Sequence, residues 1–237
     1  MTDLSELLAV QDLDTRIDQL RHQHETLPER QREAAARKEL AGLEATLAEV
    51  QDERATVAAA QQKLEREVAA LEAKKAHASA QLYGGSVVAH KELEALQHEI
   101  DTLGRLMSEV DDRILEQMEL AEPLDERIGE LTPSLEEARA ELLAAEQALA
   151  AATEVVDGAL RATVAERTAA VAKVPEKLLG TYDALRGRLG GVGAARLDGA
   201  RCTGCHLEIP AGELTEVRRA PADEVVYCPE CGRILVR

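Results

Sequence analysis

The sequence predicts a mainly α chain: a long, kinked antiparallel coiled-coil hairpin followed by a small C-terminal β ribbon built around four cysteines. Three observations lead there. Apolar residues recur on alternating three- and four-residue spacing through most of residues 1–173, which is the coiled-coil period. Trp and Phe are absent and Tyr occurs three times, so the large aromatic burials of compact cores are missing, whereas Ala, Leu and Val among 31% charged residues suit long helices. All four cysteines fall in two CxxC pairs between 202 and 231.

The stripe begins with Val10, Leu13, Ile17, Leu20 and Leu27. It resumes one residue out of phase at Leu40 and runs through Leu43, Leu47, Val50, Val57, Leu64, Val68, Leu71, Ala78 and Leu82, interrupted by Arg54, Gln61 and Lys75. Pro28 lies at the slip. Proline inside a helix removes a hydrogen bond and clashes with the preceding turn, so a kink or short break is expected there. Tyr83-Gly84-Gly85-Ser86 then ends the first arm, with a glycine pair as stop and Ser86 as a cap for the next helix.

The second arm carries Leu93, Leu96, Ile100, Leu103, Met107, Val110, Ile114, Leu124, Ile128, Leu131, Leu135, Leu142, Leu149 and Val156. Gln117, Ala121, Ala138 and Ala145 fill the remaining seam positions. Pro123 and Pro133 keep the register and predict bends. A short connection makes consecutive helices antiparallel neighbours, so the reversal is placed near 83–86. Straight arms would be on the order of 110–130 Å long.

After Lys173 the pattern changes. Val174-Pro175 breaks the helix, Glu176–Arg186 reads as a short amphipathic helix, and Gly187, Gly190, Gly191 and Gly193 read as a flexible hinge. The expected domains are therefore a hairpin over 1–173, a short helix with a glycine-rich hinge over 174–193, and a ribbon over 194–237. In the ribbon, 194–197, 207–209, 225–227 and 234–236 read as strands, and the stretch from Gly212 to Ala222 as an inserted loop. About forty residues with so little apolar content need a staple.

Cys202-Thr203-Gly204-Cys205 and Cys228-Pro229-Glu230-Cys231 supply it. Two CxxC knuckles on tight turns can set four thiolates tetrahedrally around one structural Zn²⁺, with Gly204 and Gly232 giving the turns freedom. A thioredoxin-type redox pair would need a βαβ setting, which is missing, and two disulfides would need an oxidising compartment. His206 adjoins Cys205, but four cysteines already complete the set. His90, Glu94 and His98 share a helix face without the HExxH spacing and read as a solvated face.

Net charge is −17. Residues 1–173 hold 19 Lys/Arg against 36 Asp/Glu, and residues 174–237 hold nine of each. The helical part should repel phosphate backbones and anionic lipid, which leaves the ribbon as the part able to meet nucleic acid. Arg201, Arg218, Arg219, Arg233 and Arg237 are its candidates. Tyr83, Val87 and Val88 place apolar groups at the turn of the hairpin, as a candidate protein-binding tip. Neither a secretory signal nor a membrane-spanning run is present, so the expected location is the cytoplasm. There is no phosphate loop, nucleophile elbow or paired-carboxylate pocket, and so no enzyme or small-molecule substrate is expected.

Leu7-Leu8-Ala9-Val10-Gln11-Asp12-Leu13-Asp14, Leu82-Tyr83-Gly84-Gly85 followed by Lys91–Ile100, and Cys228-Pro229-Glu230-Cys231-Gly232-Arg233-Ile234-Leu235 together resemble the bacterial C4-type zinc-ribbon family with an N-terminal coiled-coil hairpin. The resemblance covers essentially the whole chain. It implies Cys202, Cys205, Cys228 and Cys231 as zinc ligands and a role linked to gene expression: some members bind the alternative sigma factor of flagellar and nitrogen genes, and one branch is an RNA-binding regulator of flagellin. The expected function is a non-enzymatic zinc-binding adaptor with a protein partner, the alternative being an RNA- or DNA-binding regulator acting through the ribbon.

Overall fold

The structure, a computed structural model, describes residues 4–85, 88–221 and 224–237. Helix α1 spans Ser5–Glu25, α2 Pro28–Tyr83, α3 His90–Val171 and α4 Glu176–Arg188. Strands β1 (Ala194–Asp198) and β2 (Arg201–Cys202), helix α5 (Ala211–Arg219), and strands β3 (Val226–Tyr227) and β4 (Ile234–Val236) follow. The expected break at Pro28 is present: α1 stops at Glu25, and Pro28 opens α2, where its missing N–H costs nothing. Pro123 and Pro133 both lie inside the unbroken α3.

The chain forms two compact units, residues 33–144 and residues 1–32 with 145–237. The expected boundary at 173/174 falls inside the second. In the first, α2 and α3 form an antiparallel hairpin, shown by Glu44 facing Arg139 (3.0 Å) and Arg54 facing Asp125 (2.8 Å). Seam residues Val50, Leu64, Ala78, Leu103, Val110, Ala121, Leu135 and Ala138 are buried, in line with the three–four spacing. At the turn, the Gly84 N–H donates to the Ala80 carbonyl and Gly85 takes a left-handed φ of 70°. Ser86 and Val87, expected as a cap and a tip contact, lie outside the described residues.

The second unit is organised around a four-stranded sheet of order β2-β1-β4-β3, with β1 and β4 parallel and both outer pairs antiparallel. Alternate side chains of a strand point to opposite faces. Ala194, Ile234 and Val236 accordingly join Leu4, Leu7 and Val10 of α1 and Leu178, Tyr182 and Leu185 of α4 in one cluster. Ala195 and Leu235 join Cys202, Cys228, Ile209 and Val217 in another, on the opposite face. A third cluster packs Leu20 and Leu27 against Val156 of α3.

Three expectations are corrected here. The glycine-rich segment is a packed turn rather than a flexible hinge: a Cβ on Gly193 would sit 2.7 Å from the Tyr182 carbonyl oxygen, and its N–H donates to Gln11 Oε1 at 2.7 Å. The stretch after Gly212 is helix α5, not an inserted loop. Pro210 precedes its first turn, Val217 is buried with Leu214 beside it, and Glu213 and Arg218/Arg219 lie at the ends the helix dipole favours. Residues 207–209 make only an isolated bridge, Arg201 to Glu208, while β2 lies at Arg201–Cys202.

Candidate metal centre

The two knuckles share one backbone design. In the first, the Cys202 N–H donates to the Leu207 carbonyl and the His206 N–H returns to the Cys202 carbonyl. In the second, the Cys228 N–H donates to the Arg233 carbonyl and the Gly232 N–H returns to the Cys228 carbonyl. The residue after the second cysteine of each pair must then adopt a left-handed φ, 63° at His206 and 71° at Gly232. His206 is thus a turn residue and lies outside the ligand cluster. Gly204 has a different role from the freedom expected of it: a Cβ there would meet Arg233 Cδ at 2.7 Å and Ala195 Cβ at 2.9 Å, so it permits close approach.

The turns bring the Sγ atoms of Cys202, Cys205, Cys228 and Cys231 within 4.8 Å of one another. Cys202 and Cys231 are 4.0 Å apart, and Cys205 and Cys228 3.9 Å. A tetrahedral zinc with bonds of about 2.3 Å holds its sulfurs about 3.8 Å apart, whereas a disulfide needs about 2.05 Å. The donor set fits Zn²⁺ as a C4 site. Bound there, the ion would cross-link both knuckles, and four thiolates would fill its coordination.

Electrostatics around the metal-free sulfurs is uneven. Burial pushes the Cys228 thiol up to about 12, against hydrogen bonds from the Cys231 and Glu230 N–H groups, and burial raises Cys202 as well. At Cys231 burial also acts upward, but the Arg233 backbone N–H and guanidinium outweigh it and bring the thiol to about 7. Arg233 further donates to the carbonyls of Val192 (3.0 Å) and Leu189 (3.0 Å). One side chain therefore links a zinc-binding sulfur to the turn after α4.

Sequence reasoning missed the polar contacts through which α1 holds this unit together. Gln11 Oε1 accepts from the N–H groups of Gly193 and Ala194, and its Nε2 donates to the Gly191 carbonyl. Buried Asp14 accepts from Arg167 Nε (2.6 Å) and the Tyr182 hydroxyl (2.8 Å). Burial, then the bond to Asp14, raises the Tyr182 hydroxyl well above its usual range. The available signal was two polar residues on the α1 stripe, between Val10 and Ile17.

The other expected site residues are not brought to this centre. Tyr83 ends α2 and is 80% exposed, Val88 precedes α3 and is 91% exposed, and Val87 lies outside the described residues. Arg218 donates to the Gly199 carbonyl, and Arg219 is exposed at the end of α5. Arg237 holds the carbonyls of Val217, Ala220, Pro221 and Glu224, and Arg201 faces Glu208 at 3.9 Å. His90 pairs with Glu94 at 3.7 Å on an exposed face. No helix among the described residues is long and apolar enough to cross a membrane.

Known proteins share both parts. Residues 10–190 match the CT398-like coiled coil hairpin domain, and residues 201–235 the C4-type zinc ribbon domain. A solved structure from Mycobacterium smegmatis is 31% identical with a TM-score of 0.73, covering 100% of both chains. An uncharacterized protein of Mycobacterium tuberculosis is 42% identical over 147 residues, which are 62% of this chain and 60% of that protein, so the match spans less than two thirds of the relative's length. CT398 from Chlamydia trachomatis, at 20% identity over 99% of this chain and 97% of its own, has a TM-score of 0.60 and shares the fold. The chain belongs to the CT398-like coiled-coil hairpin family and carries its hairpin together with a C4-type zinc ribbon.

Proposed function

We infer that this protein is a non-enzymatic, zinc-stabilised adaptor of the cytoplasm that acts in gene expression by binding another protein. The supporting observation is the closed C4 centre: four cysteine sulfurs saturate the metal and leave no coordination position for a substrate. Function then rests on surfaces. Tyr83 and Val88 are large side chains left almost wholly in water, which suits a contact site. Free thiols held for a metal suit a reducing compartment.

The competing reading is nucleic-acid binding through the ribbon. Its arginine footprint is weakened because Arg218, Arg233 and Arg237 are committed to backbone carbonyls and Arg201 faces Glu208. A recognition patch needs guanidinium groups free to meet phosphate or bases. Arg219, the remaining candidate of the five, adds little to an acidic chain.

The test is a native pull-down with the zinc-loaded full chain, beside a Tyr83→Ser/Val88→Ser variant and an Arg218→Ala/Arg219→Ala variant, together with RNA-binding titrations over a salt series. The adaptor reading expects a protein partner whose recovery falls with the tip variant, and no RNA binding at physiological salt. Tight, salt-dependent RNA binding that weakens in the arginine variant would replace it with the nucleic-acid reading.

A further inference from the structure

Midway along α2 and α3 the coiled-coil seam is weakened by polar and small residues. On α2 the polar Arg54 and Gln61 take the seam positions on either side of the partly buried Val57, and the fully buried α3 residue at this level is the small Ala121. Beside the seam, two large apolar side chains are left in solvent: Leu115 is 56% exposed and Met118 51%. Hairpin packing alone favours apolar residues at the seam and polar ones outside it, and Arg54, Gln61, Leu115 and Met118 depart from that. Leu115 and Met118 are three apart, so they sit together on one helix face. They line an open groove of about 710 Å³, walled on the α2 side by Arg54 and Gln61.

The frame of this groove is strongly anionic. Residues 109–126 contain eight Asp/Glu and one Arg. Glu119, Glu122 and Glu126 line the groove with exposed side chains. The wall's own cation, Arg54, is already bound to Asp125 at 2.8 Å. A second copy of this chain would bring a net −17 against these carboxylates, and like charges across an interface select against such a pairing. Apolar anchors with a flexible methionine inside a carboxylate frame match the apolar face and flanking cations of a basic amphipathic helix.

We propose that the groove at Leu115 and Met118 docks a basic amphipathic helix of a partner protein, adding a third helix to the α2–α3 pair. This rests on the adaptor reading and gives that partner a chemical class. Apolar side chains of the incoming helix would cover Leu115 and Met118, while its Lys or Arg residues meet Glu119, Glu122 and Glu126.

The test titrates the zinc-loaded full chain with a fluorescent synthetic amphipathic Leu/Lys helix and, separately, with a scrambled peptide of the same composition. Leu115→Asn/Met118→Asn removes the anchors without changing charge, and Glu119→Gln/Glu122→Gln weakens the frame. Both variants alter exposed positions, and circular dichroism verifies their folding. Each is expected to weaken helix binding at least tenfold, whereas Glu136→Gln/Glu137→Gln on the same helix should leave it unchanged. Equal binding of the scrambled peptide, or equal loss in the Glu136/Glu137 variant, would reduce the effect to diffuse charge and overturn the proposal. So would self-association abolished by the Leu115/Met118 variant, which would make a second copy the occupant. If the Leu/Lys helix fails while the native pull-down still loses its partner on changing Tyr83 and Val88, the groove is refuted and the adaptor reading stands.

Discussion

Strand β4 sends Ile234 and Val236 toward α1 and α4 and Leu235 toward the cysteines, and its two sides are stabilised by different means. On the helix side, a sizeable apolar cluster is reinforced by Gln11 and Asp14, which satisfy buried donors one bond at a time. On the cysteine side, the cluster is small, and four sulfurs within 4.8 Å of one another can share a single ion. Packing is a sum of modest terms, each of which can be lost separately. Coordination is close to all-or-none, because a site missing one ligand loses most of its affinity. One sheet thus combines a graded face with a switch-like one.

The largest effect should come from Cys228→Ser. Structural zinc supplies on the order of 10 kcal/mol of folding free energy, so the cysteine-side cluster should lose its order when the fourth ligand is removed. The α2–α3 hairpin has its own seam and should keep its helical circular dichroism. Amide exchange would locate the damage: if the faces are separable, Val217 on the cysteine side exchanges rapidly while Val10 on the helix side stays protected. Equal loss of protection at both would make the unit one cooperative block.

Acid should act on the same face in a particular way. Zinc binds thiolates, so each protonated ligand must release its proton. Burial keeps Cys228 protonated up to about 12 in the metal-free site, so its proton is displaced at every ordinary pH. Cys231, held at about 7 by Arg233, adds a further proton only below that value. Zinc affinity should therefore fall with acidification throughout, and more steeply below about pH 7 than above it. Competition with a chromophoric chelator across pH 6 to 8, on the order of two units, measures the change of slope.

On the helix side, Asp14→Ala should cost about 3 kcal/mol, because it leaves the buried Tyr182 hydroxyl without an acceptor and Arg167 with only the more distant Asp183. Gln11→Ala should cost about 1–3 kcal/mol, since it strips the Gly193 and Ala194 N–H groups of an acceptor. Thermal unfolding of the zinc-loaded protein reads both. Unchanged zinc affinity in these variants would sharpen the distinction between faces, and a tenfold drop would blur it. The smallest effect is stabilising: His206→Gly relieves a left-handed backbone and should raise stability by about 1 kcal/mol.

The hairpin and the metal centre were legible because each is written as a one-dimensional pattern. A heptad stripe survives the substitution of single positions, and two CxxC pairs specify a donor set by spacing alone. Helix α5 was not legible, because its nine residues hold only Leu214 and Val217 as large apolar groups and include a glycine. The left-handed residue in each knuckle becomes visible only when the pairs are superimposed, which sets His206 against Gly232. The docking of α1 was hidden for another reason. Its specificity resides in Gln11 and Asp14, polar residues that burial patterns treat as interruptions, and their partners at 167, 182 and 191–194 are remote in sequence.

That remoteness bears on folding kinetics. The bond from the Gly193 N–H to Gln11 spans 182 residues, whereas the hairpin turn joins helices a few residues apart. Contacts of high sequence separation require loop closure before they return any energy, and they slow folding accordingly. The hairpin can zip from its turn without waiting for either end of the chain. Helix α1 must instead find β1 and α4 late, with Leu4, Leu7 and Val10 exposed until it does. Refolding should accordingly show a rapid helical phase followed by a slower one that buries Tyr182. The slow phase should be the one that changes when Gln11 is replaced.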